Sequence, residues 1–326
     1  MRTFRYAAPA AAVLVIVALA LVRSHRALEN PCSGSALLMD TLAEVSVWGK
    51  GHVPCKAAAD SALAALAQVD TLLGTGRLDT RGDSTRMRST AVRRALEVSD
   101  QVYRLTGGLF DPTIGSVTRL WSFGEDGKIP DPDSLAEGLR HVGFDRFLAA
   151  RDSGKFIIDL GGVAKGYAVD LAASRLVDLG FKSAIVSAGG DMRLIGRRPD
   201  GKLWRIAIRH PRRAGEFIGY LNLADVAVAT SGDYERCFIR DGRRYHHIID
   251  PRTGMPGTAT TCVTVIAKTS VVSDALATGL FLMGPRDGLR LAESLPDVEA
   301  VFVWAEGESL ATTSGLEHVF ERAEPK

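Results

Sequence analysis

This sequence of 326 residues has few cysteines, a net charge near zero and no internal repeats, and each of these features excludes a class of protein. The four cysteines are scattered and none forms Cys-x-x-Cys, so neither a zinc site nor a redox pair is indicated. The formal net charge of +2 gives no reason to expect nucleic acid as a partner. No repeat or low-complexity segment occurs, and no Ser/His/Asp arrangement or His/Cys metal cluster is readable.

The first 26 residues form an N-terminal hydrophobic segment that we predict to be separate from the fold. Arg2 and Arg5 precede an apolar run over residues 7–22, a pattern typical of a signal peptide or a single membrane anchor. We therefore expect export to the periplasmic side, with attachment to the cytoplasmic membrane if the segment is not cleaved. In an exported chain the cysteines could pair as Cys32–Cys55 and Cys237–Cys262, which the sequence leaves open.

After this segment we predict a linker over residues 27–36 and one domain over residues 37–326. Strands are grouped as well as alternating with helices, so the fold class is α+β, with mixed sheets flanked by helices. Helical spacing and apolar runs give the main elements. We predict a first strand over 37–48, helices over 56–73, 92–106 and 271–283, an irregular polar loop over 74–90, and strands over 156–160, 183–187, 204–208, 218–223, 226–229, 245–249, 263–267 and 300–304.

The stretch from Ile158 to Asp170 is the most informative part of the chain. An apolar strand turns through Gly161 and Gly162 and opens a helix, which points backbone N–H groups beyond the end of the strand. Asp159 and Lys165 flank this turn. The junction indicates a phosphate site, although it is neither Gly-x-Gly-x-x-Gly nor a Walker motif, and a tight turn between packed elements is the simpler alternative.

A second pair of residues suggests a metal site. Asp274 and Thr278 lie four residues apart in a predicted helix, so their oxygens share one face. The apolar residues around Asp274 predict that it is partly buried, and a buried carboxylate needs a partner or a metal. Two hard oxygen ligands suit Mg²⁺, although such a pair on a helix is more often a solvated face.

His246 and His247 are adjacent in a predicted strand. Because successive side chains in a strand point to opposite faces, only one of them is expected to face a site. A structural histidine is the alternative for either. The turn Asp250-Pro251-Arg252-Thr253-Gly254 follows directly and offers a rigid loop with an acid and a base.

Six segments in this order resemble the ApbE family of FAD:protein FMN transferases over roughly residues 37 to 320. The segments are Gly107–Gly115, Asp159–Asp170, Ser187–Asp191, Ala229–Tyr234, His247–Gly254 and Asp274–Thr278. The resemblance implies an enzyme that binds FAD with Mg²⁺. Such enzymes transfer FMN to a threonine or serine hydroxyl of an acceptor protein and release AMP. It also implies that the acceptor is a membrane redox subunit outside the cytoplasmic membrane.

The resemblance also implies roles for individual residues. It makes Asp274, Thr278 and the backbone carbonyl of Gly162 the metal ligands, and His247 the base that acts on the acceptor hydroxyl, with Asp274 and His247 as the catalytic pair. The residues that it assigns to FAD binding are Met39, Phe110, Asp111, Asp159, Lys165 and Thr258.

Two positions depart from the family pattern. The family's Met-Gly-Thr is Met39-Asp40-Thr41 here, which places a carboxylate near the expected diphosphate. An aromatic residue that follows the first long helix in the family is replaced by Gly76. Either change could weaken FAD binding, and an altered loop over 74–86 would admit water.

Two other functions therefore remain open at the level of sequence. An FAD pyrophosphatase that yields FMN and AMP would use the same residues, with water in place of the acceptor hydroxyl. A non-enzymatic FAD-binding protein would not need Asp274, so loss of Asp274 separates this alternative from the two enzymes.

Overall fold

The structure is a computed structural model, and it describes residues 30–73, 77–124, 127–150, 155–304, 307 and 309–324. The N-terminal hydrophobic segment predicted over residues 1–26 and the departure at Gly76 lie outside the described residues. Within the described ranges, no helix combines the length and apolar character needed to cross a bilayer.

Strands and helices are grouped along the chain, with eight consecutive strands from residue 183 to residue 267. The strands are β1 Cys32–Leu38, β2 Thr41–Trp48, β3 Arg77–Asp79, β4 Ile157–Asp159, β5 Ser183–Ala188, β6 Asp191–Gly196, β7 Trp204–Arg209, β8 Phe217–Leu223, β9 Ala227–Gly232, β10 Cys237–Arg240, β11 Arg243–His246, β12 Cys262–Ala267, β13 Glu299–Trp304, β14 Ser309–Thr312 and β15 Phe320–Arg322. The helices are α1 Cys55–Leu73, α2 Ser84–Met87, α3 Thr90–Leu105, α4 Gly115–Thr118, α5 Pro132–Arg140, α6 Phe144–Ala150, α7 Ala164–Asp178, α8 Ser270–Met283 and α9 Pro285–Ser294.

Eight strands form the main sheet in the order β1-β2-β5-β6-β9-β12-β13-β14, and the neighbours pair antiparallel. Helices α1, α7 and α8 pack on one face, and the smaller sheet β15-β8-β7 packs on the other. Strand β12 shows both contacts, because Val263 and Val265 join the helical core while Cys262 and Ile266 face the smaller sheet. The α+β class is confirmed, with antiparallel strand pairs in place of mixed sheets.

The start of the domain differs from the prediction. Residues 32–36, predicted as linker, belong to β1, and the single strand predicted over 37–48 is divided into the end of β1, a turn and β2. Met39 and Asp40 form its turn with φ of 53° and 57°. This left-handed conformation suits the glycine of the family motif, and aspartate is one of the few other residues that adopt it readily.

One of the two disulfides that the sequence allowed is present among the described residues. Cys32 of β1 is bonded to Cys55 at the start of α1, with their Cα atoms 5.7 Å apart. Cys237 and Cys262 are free thiols, and Cys262 is buried in the contact between β12 and the smaller sheet. The pairing Cys237–Cys262 is therefore wrong.

The segment predicted as an irregular loop over residues 74–90 contains ordered elements. Residues 77–79 form β3, which pairs antiparallel with β4, so that Arg77 lies opposite Asp159. Helix α2 follows, and Ser89 caps α3 by accepting a hydrogen bond from the Val92 N–H. This pairing places β3 against the strand that leads into the Gly161–Gly162 turn.

Candidate functional site

The Gly161–Gly162 turn is held in place by Asp159, the last residue of β4. Its Oδ1 accepts a hydrogen bond from the Gly161 N–H at 2.9 Å, and its Oδ2 accepts one from Thr118 Oγ1 at 2.6 Å. Both carboxylate oxygens are therefore used to shape the turn. Asp159 also lines the cavity described below.

The N-terminus of α7 binds an anion, and that anion is the side chain of Asp274. The Gly166 N–H donates to Asp274 Oδ2 at 2.9 Å, and Asp274 is only 3% exposed. The sequence predicted a phosphate site at this turn, which stays a prediction; the Gly166 N–H at the helix start is already bonded to the protein's own carboxylate. A Cβ on Gly166 would lie 2.3 Å from the Ser270 carbonyl oxygen, so only glycine lets α7 and α8 approach this closely.

Lys165 lies between two buried carboxylates. Its Nζ is 3.1 Å from Asp274 Oδ1 and 3.0 Å from Asp191 Oδ2, and Asp191 is 1% exposed. Burial alone would lower the pKa of Lys165, but the two carboxylates outweigh it and raise that pKa. Burial and the neighbouring Asp274 raise the pKa of Asp191. This cluster carries one carboxylate more than its single ammonium group can balance.

Asp170 fixes the helix that carries Asp274. Its two carboxylate oxygens accept hydrogen bonds from the backbone N–H groups of Ser270 and Val271, at 2.8 and 2.9 Å. A side chain of α7 therefore caps the N-terminus of α8, and Thr269, the residue at the N-cap position, makes no such bond.

The residues around Asp274 fit a magnesium ion. Thr278 lies one turn further along α8, and a Cβ on Gly162 would lie 3.3 Å from Thr278 Oγ1 and 2.9 Å from Phe110 Cε2. The missing side chain thus leaves space beside the Thr278 hydroxyl. Each oxygen of Asp274 accepts one hydrogen bond and keeps a lone pair. Within the described residues, no group of three or more His, Cys, Asp or Glu is placed to hold a metal. A carboxylate, a hydroxyl and a carbonyl oxygen are donors that Mg²⁺ accepts.

The two histidines are divided between the core and the cavity, although β11 ends at His246 and His247 lies in the bend that follows, not in a strand over 245–249. His246 is 3% exposed, and its Nε2 donates to the Gly257 carbonyl oxygen at 2.8 Å. His247 lines the cavity, and its Nδ1 lies 3.2 Å from the Glu235 carbonyl oxygen. Since a carbonyl only accepts, Nδ1 carries the proton and the lone pair of neutral His247 is on Nε2. Burial, the charge of Arg236 and His246 lower the pKa of His247 to about 3.

The Gly161–Gly162 turn, the start of α7, helix α8 and His247 border one cavity of about 330 Å³. The predicted site residues that line it are Met39, Phe110, Asp111, Asp159, Gly162, Lys165, His247, Asp274 and Thr278. Thr258 is exposed and is absent from the cavity wall, so the structure does not bring it together with the others.

Asp111 has its carboxylate turned to the protein. Its Oδ1 accepts hydrogen bonds from the backbone N–H and the hydroxyl of Thr113, at 2.8 and 2.5 Å. Its Oδ2 accepts one from the Phe144 N–H at 3.1 Å, and burial raises its pKa. The side chain therefore shapes the loop that presents Phe110, and a direct contact of Asp111 with FAD stays a prediction.

Several residues of the site were absent from the predicted set. Asp191 directly follows a strand and a Gly-Gly turn, the same pattern that marked Asp159 and Lys165, so this signal was available in the sequence. Trp121 and Phe123 line the cavity with their rings stacked at 5.7 Å. Arg236 also lines it, and no periodic pattern marks a single arginine in a turn.

One prediction concerns the close contact of the two site helices. Gly166→Ala forces a Cβ against the Ser270 backbone and is expected to lower the free energy of unfolding by about 1–3 kcal/mol. Gly82→Ala is the matched control, because a Cβ there meets no atom within 4 Å and Gly82 is exposed. Thermal unfolding of both variants measures the difference. Equal midpoints would show that α7 and α8 separate without cost.

The comparisons with known proteins agree on one family. The sequence model of the ApbE family matches residues 39–302. A Vibrio cholerae protein named FAD:protein FMN transferase is 37% identical over 218 residues, and the match covers 63% of this chain and 63% of that protein. A Treponema pallidum protein of the same name is 30% identical over 329 residues, with 90% of each chain covered. The chain thus spans less than two thirds of the Vibrio relative but nearly all of the Treponema one.

Solved structures give the same result for the fold. The flavin transferase ApbE from Vibrio cholerae superposes with a TM-score of 0.74 at 28% identity, covering 88% of this chain and 98% of that one. The ApbE protein of Thermotoga maritima gives a TM-score of 0.77 at 29% identity, covering 90% and 100%. With its glycine turns, its buried carboxylate cluster and its cavity histidine in this common fold, the chain belongs to the ApbE family.

Proposed function

We propose that this protein transfers FMN from FAD to a threonine or serine hydroxyl of an acceptor protein. The hydroxyl oxygen bonds to the phosphorus of the FMN half, the bond between that phosphorus and the bridging oxygen breaks, and AMP leaves with the bridging oxygen. The observation that carries this proposal is the meeting, in one cavity, of the Asp274–Thr278–Gly162 oxygens with the neutral imidazole of His247.

The proposal includes Mg²⁺ held by Asp274, Thr278 and the Gly162 carbonyl. When bound, the ion supplies charge neutralisation at the transferred phosphoryl group. Several contacts prepare its main ligand. The Gly166 N–H and Lys165 orient the Asp274 carboxylate, and Asp170 fixes the helix that carries it. This support holds the carboxylate in one orientation before substrate binds.

His247 is the group that receives the proton of the acceptor hydroxyl. Its Nδ1–H is held by the Glu235 carbonyl, which fixes the tautomer and leaves the Nε2 lone pair available. Its lowered pKa keeps it unprotonated at neutral pH, so it can act as a base without first losing a proton. The proton taken up at Nε2 is the one that the hydroxyl loses as its oxygen bonds to phosphorus.

We also propose that the domain works outside the cytoplasmic membrane, on an acceptor that is a membrane redox subunit. The charged and apolar pattern of residues 1–26 supports export, and so does the Cys32–Cys55 bond, because disulfides persist in oxidising compartments. A C-terminal alkaline phosphatase fusion tests this, since that enzyme is active only after export. An inactive but expressed fusion would contradict it.

The transfer assay combines the full chain, FAD, Mg²⁺ and purified candidate acceptors with exposed threonines, and follows acceptor mass and AMP together. We expect AMP and an FMN adduct in equal amounts, and neither in the presence of a chelator. AMP with free FMN and no adduct on any acceptor would indicate the pyrophosphatase instead. Retained FAD with no product would indicate a binding protein.

A further inference from the structure

The cavity wall carries more acidic groups than cations, although the proposed substrate brings a negatively charged diphosphate into it. The acidic residues that line it are Asp40, Asp111, Asp159, Glu235 and Asp274, and the cations are Arg77, Lys165 and Arg236. A diphosphate placed against this wall would be repelled unless cations compensate. The position of each cation therefore decides which part of the cavity accepts phosphate.

Two of the three cations are already paired with carboxylates. Lys165 lies between Asp191 and Asp274. Arg77 lies 3.9 Å from Asp159 Oδ2, across the β3–β4 pair. Among the residues that the structure describes, Arg236 forms no ion pair and no side-chain hydrogen bond, so its guanidinium is available to a ligand.

The backbone around Arg236 is fixed beside the catalytic histidine. Arg236 lies in the turn between β9 and β10 with φ of 37°, a conformation that non-glycine residues rarely adopt. The preceding residue, Glu235, makes contacts through both its backbone and its side chain. The Glu235 carbonyl accepts the hydrogen bond from His247 Nδ1, and the Glu235 carboxylate pairs with Arg209 at 2.6 Å. These contacts hold Arg236 in its unusual conformation at the mouth of the cavity.

The electrostatics agree with this placement. Arg236 and His247 line the same cavity, and the charge of Arg236 is, after burial, the largest contribution to the lowered pKa of His247. Asp274 and Thr278 border the same cavity and form the proposed metal site. A diphosphate bound in this cavity would therefore share it with Arg236, His247 and the proposed metal site.

We infer that Arg236 binds the phosphate oxygens of the FAD diphosphate. The inference rests on the proposed function, because the anion is the diphosphate of its substrate. A guanidinium donates two parallel hydrogen bonds to a phosphate, which gives both charge and orientation. Arg236 would then hold the diphosphate in line with the hydroxyl that His247 deprotonates.

The test compares ligands with and without phosphate. Equilibrium binding of FAD, ADP and riboflavin, each with and without Mg²⁺, is measured for the wild-type chain, Arg236→Gln and Arg236→Lys. Arg236→Gln is expected to raise the Kd of FAD and of ADP by about tenfold or more, while the Kd of riboflavin changes by less than about twofold. Arg236→Lys keeps the charge but loses the paired hydrogen bonds, so it is expected to raise the Kd of FAD and of ADP by less than Arg236→Gln does.

Arg243→Gln is the matched control, because Arg243 is exposed on β11 and is absent from the cavity wall. It is expected to change no Kd. Unchanged FAD and ADP binding in Arg236→Gln would overturn the inference. So would an equal loss of riboflavin, which would mean a damaged cavity, or an equal loss in Arg243→Gln, which would mean an effect of net charge.

The same measurements separate this inference from the proposed function. A wild-type chain that binds FAD and ADP in an Arg236-dependent way but transfers no FMN would remove the proposed function and leave the phosphate contact standing. A chain that transfers FMN, with the KM for FAD unchanged in Arg236→Gln, would remove the contact alone. A wild-type chain that binds neither FAD nor ADP would remove both.

Discussion

Asp274→Asn is expected to abolish FMN transfer and Mg²⁺ binding while the protein stays folded. The substitution removes the only carboxylate among the three proposed metal ligands, and an amide oxygen binds a hard cation weakly. A metal contributes several kcal/mol to a phosphoryl transfer, and about 4 kcal/mol corresponds to a loss of about 10³-fold in kcat. Calorimetric titration with Mg²⁺ and the transfer assay measure the two effects.

The fold is expected to tolerate this change. The substituted side chain keeps an oxygen that can accept from the Gly166 N–H, and Lys165 still pairs with Asp191. Loss of one of two close carboxylates also relieves the repulsion that raises the pKa of Asp191. The new amide NH₂ then faces the Lys165 ammonium, which offsets this gain, so the thermal midpoint should stay near that of the wild-type chain.

Asp191→Asn is the matched control for this experiment. It changes the other carboxylate that contacts Lys165, but Asp191 does not line the cavity. We expect it to retain Mg²⁺ binding that Asp274→Asn loses. Transfer by Asp274→Asn at the wild-type rate in saturating Mg²⁺ would contradict the metal assignment. Equal loss of Mg²⁺ binding in both variants would mean that Asp191 and Asp274 are both needed to bind the metal.

The placement of Asp274 and Thr278 on one helix beside the cavity was predictable from the sequence, whereas their surroundings were not. Asp274 and Thr278 share a helix face because of a local rule, so their spacing was sufficient. The groups that bind the Asp274 carboxylate, the Gly166 N–H and the Lys165 ammonium, belong to another helix, α7. These contacts depend on the order of strands in the sheet and on a glycine that permits close packing, neither of which a local pattern reveals.

The errors at the domain's start have the same origin. Residues 32–36 contain serine, glycine and alanine, which have little intrinsic preference for a strand. They form β1 because β2 lies beside them and because Cys32 is bonded to Cys55. The possible pair Cys237–Cys262 also depends on tertiary structure: Cys237 lies on β10 of a two-stranded sheet, Cys262 lies on β12 of the main sheet, and both are free thiols. Contacts between distant parts of the chain decide both the strand β1 and the cysteine pairing, and a local sequence pattern does not reveal such contacts.

Replacement of His247 by asparagine is expected to lower kcat/KM by about 10²–10⁴-fold, the usual contribution of a general base. Asparagine can still donate a hydrogen bond to the Glu235 carbonyl, so the turn that carries Arg236 keeps its support. It has no basic nitrogen to receive the proton of the acceptor hydroxyl. The Kd of FAD should therefore change little, and the loss should lie in the chemical step.

The pH profile gives a second measure of the same residue. A histidine of ordinary pKa, about 6.5, would lose activity tenfold per pH unit below that value. Because burial and the charge of Arg236 lower the pKa of His247 to about 3, kcat/KM for FAD should stay level from pH 8 to below pH 6. The unfolded chain protonates this histidine near pH 6.5, before the folded chain does, so the free energy of unfolding decreases as the pH falls below 6.5. Thermal unfolding at each pH separates this loss from the loss of the base.

His246→Gln is the control for both measurements, since His246, the last residue of β11, is the adjacent histidine and is buried in the core. A glutamine can keep the hydrogen bond to the Gly257 carbonyl but loses the edge-to-face contact with Phe281, so stability should fall while transfer per folded molecule is kept. A larger catalytic loss in His246→Gln than in His247→Asn would place the base on the other histidine. An acid limb of kcat/KM at pH 6.5 that disappears in His247→Asn would keep His247 as the base but show that it is solvated before FAD binds.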